Sequence, residues 1–158
     1  MELIEVKKLS KSIHGKEILK DISFEISQGD CVALIGPNGA GKTTLMDCLL
    51  GDKFLTAGQA RIQGLKPTDN HLKQSVAILP QENTVVEDLK VKELLTFFQA
   101  IYPNSLSNQE IDDLLQFTDK QKNQLANKLS GGQKRLFSFV LSLIGRPKIL
   151  FLDEPTSA

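Results

Sequence analysis

Gly36-Pro37-Asn38-Gly39-Ala40-Gly41-Lys42-Thr43, directly after the apolar run Cys31-Val32-Ala33-Leu34-Ile35, is the stretch on which the reading of this chain turns. It matches G-x-x-x-x-G-K-[ST], a loop whose backbone amides wrap a phosphate. Glycine lets the backbone come close to the anion. The N–H groups of the loop and of the helix that follows turn positive dipole toward it. In this pattern Lys42 reaches the β- and γ-phosphates, the Thr43 hydroxyl ligates Mg²⁺, and Thr44 lies next to the α-phosphate region. An accidental Gly-rich turn would match roughly once in a few hundred chains of this length. The setting adds weight, with a continuous apolar run before the loop, expected as a strand buried on both faces, and a helix after it. Residues 36–44 are therefore expected to bind ATP with Mg²⁺.

Outward from the loop, the chain reads as alternating strands and helices. Residues 3–9 and 18–26 have strand patterns, the second with Ile18, Ile22, Phe24 and Ile26 largely on one face. Gln28-Gly29-Asp30 is a turn. The helix after the loop is expected over residues 42–50, with Gly51 as its stop. Short strands are expected at 58–62 and at 76–79, the latter closed by Pro80. From Val91 the period changes: Val91, Leu94, Leu95, Phe98, Ile101 and Tyr102 follow i, i+3, i+4 spacing, so this is an amphipathic helix ended by Pro103. Ser107 and Glu110 form a capping box for the next helix, with Ile111, Leu114 and Leu115 as its apolar stripe. Residues 131–144 read as a well-buried helix and 149–152 as a last buried strand. The expected architecture is α/β, with a mainly parallel core sheet, an N-terminal antiparallel β part and an α-helical insert.

Two further stretches carry chemistry. The apolar run 149–152 ends in Asp153-Glu154, and in a parallel sheet ligands sit beyond the carboxyl ends of the strands. Asp153 is placed to hold Mg²⁺ through water, and Glu154 to activate the attacking water as general base. An apolar strand ending in two acids is common by itself; the phosphate loop upstream gives it meaning. Leu129-Ser130-Gly131-Gly132-Gln133 opens the last helix. Ser130 and Gln133 fit a capping box, but capping does not call for two glycines in the first turn, where each costs roughly 1 kcal/mol. That cost points to a ligand at this helix N-terminus.

GPNGAGKTT, then Gln81, then LSGGQKR, then ILFLDEPTSA, in this order, resemble the ATP-binding cassette of ABC transporters. The N-terminal stretch LSKSIHGKEILKDISFEISQGD is also similar to that family, so the resemblance spans essentially the whole chain. It implies a P-loop NTPase fold in one partial nucleotide-binding domain over residues 1–158, with 1–90 and 146–158 as core and 91–145 as helical insert and signature helix. Gln81 becomes the glutamine that senses Mg²⁺ and the γ-phosphate. Ser130, Gly131, Gly132 and Gln133 close over ATP held by a second nucleotide-binding subunit in a head-to-tail dimer. An integral membrane subunit is the implied partner, and the insert lies near it. The family stacks adenine on an aromatic residue, and by spacing that place falls on Ile13, with His14 beside it. The stretch from the signature onward looks closest to bacterial drug or peptide exporters. The chain stops at Ser157-Ala158, inside the segment the family continues, so it is expected to be a fragment that holds nucleotide with little turnover by itself.

Composition fits a soluble globular protein, with 41% hydrophobic and 24% charged residues. Lys+Arg and Asp+Glu both number 19, so the basic excess usual in a nucleic-acid partner is missing and none is expected. A soluble relative acting on the ribosome or on nucleic acid shares the motif set and stands as the alternative; a second phosphate loop in the same protein would favour it. The longest apolar candidate, residues 136–144, is about half the ~18 needed to span a bilayer. MELIEVKK carries no signal-peptide apolar core. The expected location is the cytoplasm, at the inner face of the membrane through the partner. Cys31 and Cys48 have no metal-ligand spacing and are expected as two buried, reduced thiols.

Overall fold

The structure is a computed structural model that describes residues 2–81 and 88–153. The chain divides into two compact units, Met1–Lys73 and Gln74–Ala158.

In the first unit, β1 (Glu2–Ile13), β2 (Lys16–Ser27) and β3 (Ala57–Ile62) form an antiparallel sheet in the order β2-β1-β3. The β1–β2 hairpin turns through His14 and Gly15, with φ 49° and 77°. Two positive φ values in a two-residue loop match the right-handed twist of the flanking strands, and the register closes at Ile13 opposite Lys16. The first helix, α1 (Lys42–Leu50), is closed by Gly51 with φ 84°, as expected. Its buried side chains Leu45, Met46, Cys48 and Leu49 join Leu3, Ile4, Val6, Leu9, Ala60 and Ile62 in the core.

Residues 31–35 differ from expectation. They form no strand, and the apolar side chains are open to solvent, Val32 at 56% and Ile35 at 93%. A strand is held by its ladder, and among the described residues nothing pairs with this segment. Cys31 is correspondingly exposed rather than buried, while Cys48 is buried as expected.

In the second unit, β4 (Val76–Leu79) pairs in parallel with β5 (Ile149–Leu152), Val76 opposite Ile149 through Leu79 opposite Leu152. This is the parallel pairing expected of the core sheet. β5 is half-buried instead of fully covered, and Leu152 is 41% exposed. Among the described residues the unit also holds the α-helices α2 (Val91–Ile101), α3 (Asn108–Leu115), α4 (Asp119–Asn123) and α5 (Gly131–Leu143). α2 stops at Ile101, and Tyr102 is extended, as the residue before a proline must be. Ser107 and Glu110 cap α3 reciprocally, at 2.8 Å and 3.3 Å. Val91, Leu94, Leu95, Ile111, Leu115, Phe137 and Val140 form one core with Ala126 and Ile144. Two expectations fail here. Leu114 is exposed, because in this short helix Ile111 and Leu115 already meet the core. α5 buries only the stripe Phe137 and Val140, leaving Leu136 on its outer side.

Candidate nucleotide site

The phosphate loop is held open by its own chemistry. Residues 36–40 are exposed and irregular, tightened by the bond from Ala40 N–H to the Pro37 carbonyl at 3.2 Å. Gly41 caps α1 at φ 95°, and a Cβ there would lie 2.8 Å from Leu19 Cδ2 and 3.3 Å from the Ile18 carbonyl oxygen. Only glycine lets the loop turn into the helix so close to β2. Gly39 also has a positive φ, 81°, but faces open space. The Lys42 ammonium donates to the carbonyls of Gly36 at 2.8 Å and Pro37 at 3.0 Å, so it spans the loop it follows in sequence.

The α1 N-terminus has neither a side-chain cap nor an acidic residue in its first turn, whereas at α2 the Glu93 carboxylate accepts from Lys90 N–H at 2.8 Å. Ser107, Thr118 and Ser130 cap α3, α4 and α5 with their side chains. Its leading amides keep their positive dipole. An uncapped helix N-terminus, a lysine spanning the loop and an exposed Thr43 make a donor set that fits phosphate, with a hydroxyl for Mg²⁺. Ile13 is half-buried at the end of β1 and His14 is exposed in the hairpin turn.

The remaining candidates lie in the second unit. Asp153 follows β5 and its N–H donates to the Leu79 carbonyl at 3.0 Å, extending the parallel ladder by one bond. Gln81 is exposed just past β4. Glu154 lies outside the described residues. Ser130 and Gln133 cap each other: Ser130 N–H donates to the Gln133 side-chain oxygen at 2.9 Å, and Gln133 N–H donates to Ser130 Oγ at 3.3 Å. Gly131 and Gly132 are exposed, have no positive φ, and meet nothing beyond their own helix within 4 Å of where a Cβ would stand. Nothing inside the described chain demands glycine at either position.

One residue was missed by sequence reasoning. The Arg135 guanidinium, one turn into α5, donates from Nη1 to the Pro80 carbonyl at 2.6 Å and the Gln81 carbonyl at 3.4 Å, and from Nη2 to the Asp153 carbonyl at 3.4 Å. It brings the ends of β4 and β5 together with the helix that Ser130 opens. The available signal was its position: a cation near a helix N-terminus opposes the macrodipole and calls for acceptors from elsewhere.

Among known proteins, the chain is 32% identical to the ABC transporter ATP-binding protein YtrB of Bacillus subtilis, over 98% of this chain and 53% of that protein. It is also 32% identical to Nod factor export ATP-binding protein I of Mesorhizobium japonicum, over 94% of this chain and 46% of that one. The chain thus spans about half the length of these curated relatives. A solved ATP-binding subunit of an ABC transporter superposes with a TM-score of 0.81 at 28% identity, covering 98% of this chain and 67% of the other. The fold is that of the ABC ATPase domains, an α/β P-loop architecture. The ABC transporter family model matches residues 19–157, nearly all of the sequence, and the chain therefore belongs to the ABC transporter family.

Proposed function

We propose that this chain is the ATP-binding and ATP-hydrolysing part of an ABC transporter, a partial nucleotide-binding domain over residues 1–158. The observation that carries the reading is the bracket of Lys42 across the Gly36 and Pro37 carbonyls at the uncapped start of α1. Gly36, Pro37, Asn38, Gly39, Ala40 and Gly41 wrap the phosphates with backbone amides, Lys42 exchanges carbonyl oxygens for phosphate oxygens, and Thr44 stands beside Thr43 in the first turn. Thr43, Gln81 and Asp153 are the metal-site groups. Mg²⁺, when bound, draws charge from the phosphate oxygens. Glu154 accepts a proton from the attacking water, and Gln81 senses Mg²⁺ and the γ-phosphate.

Ser130, Gly131, Gly132 and Gln133 present an exposed helix N-terminus without internal need for its glycines, which supports closure over nucleotide on a second subunit in a head-to-tail dimer. An integral membrane subunit at the cytoplasmic face takes up the conformational work. The export function named for the Mesorhizobium relative supports an exporter. Ile13 offers an apolar face to the base in place of a stacking ring.

Titration with a fluorescent ATP analogue tests the loop. Lys42→Ala is expected to weaken binding at least about tenfold, the loss of a charge-assisted contact, with the unfolding midpoint held within a few degrees. Unchanged affinity in that variant would refute the assignment. The same titration with GTP is expected to fall within about threefold of ATP, under 1 kcal/mol; a strong ATP preference abolished by Ile13→Ala would instead show that this position selects the base.

A further inference from the structure

Pro80 ends β4, and Asp153 follows β5. Just past the paired residues, Asp153 N–H donates to the Leu79 carbonyl at 3.0 Å. Buried or half-buried carbonyls at strand ends are satisfied by side-chain donors when one is in reach. Arg135 donates to the carbonyls of Pro80, Gln81 and Asp153 with a single fork, Nη1 on the β4 side and Nη2 on the β5 side.

We infer that Arg135 is a positioning residue that fastens the chain carrying Gln81 and the chain carrying Asp153 to the helix opened by Ser130. The inference rests on the function proposed above, since it concerns how the groups assigned to metal and water are placed. The bonds from Arg135 to Pro80, Gln81 and Asp153 are all to main-chain oxygens, so on these residues it acts through the backbone. A guanidinium is suited to this because its planar fork reaches two chains at once, whereas a lysine ammonium is one compact charge. Charge-assisted bonds to carbonyls also offset the unfavourable place of a cation near a helix N-terminus. With both strand ends tied to α5, a shift of that helix moves Gln81 and Asp153 with it. The phosphate loop belongs to the first unit and keeps its own bracket through Lys42.

The test uses the intact protein with Arg135→Ala and Arg135→Lys. Four readouts are compared: affinity for a fluorescent ATP analogue without metal, affinity for Mn²⁺ in the presence of ATP by electron paramagnetic resonance, kcat and KM for ATP hydrolysis, and the unfolding midpoint. In Arg135→Ala, metal-free nucleotide affinity is expected to stay within about twofold. Mn²⁺ affinity should fall several-fold and kcat at least about tenfold at nearly unchanged KM, as expected when reacting groups are misplaced by about an ångström. Arg135→Lys should recover only a minor part. Wild-type Mn²⁺ affinity and kcat in Arg135→Ala would overturn the inference, and so would full recovery by lysine. A loss of metal-free nucleotide binding together with the folded state in both variants would also overturn it, because the residue would then be structural. A wild-type protein that binds no nucleotide would sink the proposed function itself, an outcome distinct from a wild-type protein that turns over ATP and an Arg135→Ala variant that matches it.

Discussion

At the residue scale, the two positive-φ glycines of the phosphate loop separate two physical demands. Gly39 has φ 81° and open space around the place of a Cβ, so alanine there meets backbone strain alone. Gly41 has φ 95°, and a Cβ there would also press on Leu19 and the Ile18 carbonyl. Gly39→Ala is expected to destabilise by about 1 kcal/mol and Gly41→Ala by at least about 2 kcal/mol, the difference being the contact with β2. Urea denaturation of both variants measures this; equal midpoints would show that the approach to β2 does not matter. The glycine spacing was legible in the sequence. The reason for the last glycine was not, because it depends on a strand more than twenty residues upstream.

At the element scale, α3 and α5 are joined by charge. Glu110, in the capping box of α3, accepts two bonds from the Arg146 guanidinium, at 2.6 Å and 2.7 Å, just after α5. Arg146, then the Ser107 N–H and hydroxyl, lower the Glu110 pKa from an ordinary 4.5 to about 2. A carboxyl whose folded pKa is depressed stabilises the fold above its unfolded value and loses that contribution as pH falls through the folded one. The contribution of Glu110 is therefore complete above about 4.5 and vanishes toward pH 2. Arg146→Ala is expected to return the Glu110 pKa most of the way toward 4.5, read by carboxyl-carbon NMR titration, and to move acid unfolding to higher pH. An unmoved titration would mean that the Ser107 cap holds the carboxylate without the arginine. The capping box was readable from Ser107 and Glu110 three residues apart. Its ion pair with a residue 36 positions away was not.

At the scale of the whole molecule, the two cysteines report where the core lies. Cys48 sits in α1 among buried side chains, and burial pushes its thiol pKa up. Cys31 is exposed at the start of the irregular segment before the loop. A thiol reagent at neutral pH is expected to modify one cysteine quickly, identified as Cys31 by peptide mass mapping, and Cys48 only after denaturant is added. Equal fast labelling of both would show that α1 is not packed as described. The sequence offers two alike small apolar thiols; which one is covered depends on what packs over each.

What the sequence by itself determined is what neighbours within a few residues determine. The bounds of α1 and its glycine stop, the strand β4 ended by Pro80, the Ser107 and Ser130 caps and the loop that Lys42 closes all follow from local sterics, capping and hydrogen bonding. Only the tertiary structure decided what needs partners far along the chain. The run at residues 31–35 reads as a buried strand, yet pairing and cover for a strand come from other segments, and it stands exposed. Arg135 reads as one more charge on a helix, yet its fork meets carbonyls as many as 55 residues away at the ends of two strands. Local periodicity carries no record of such contacts, because they arise when separate elements meet.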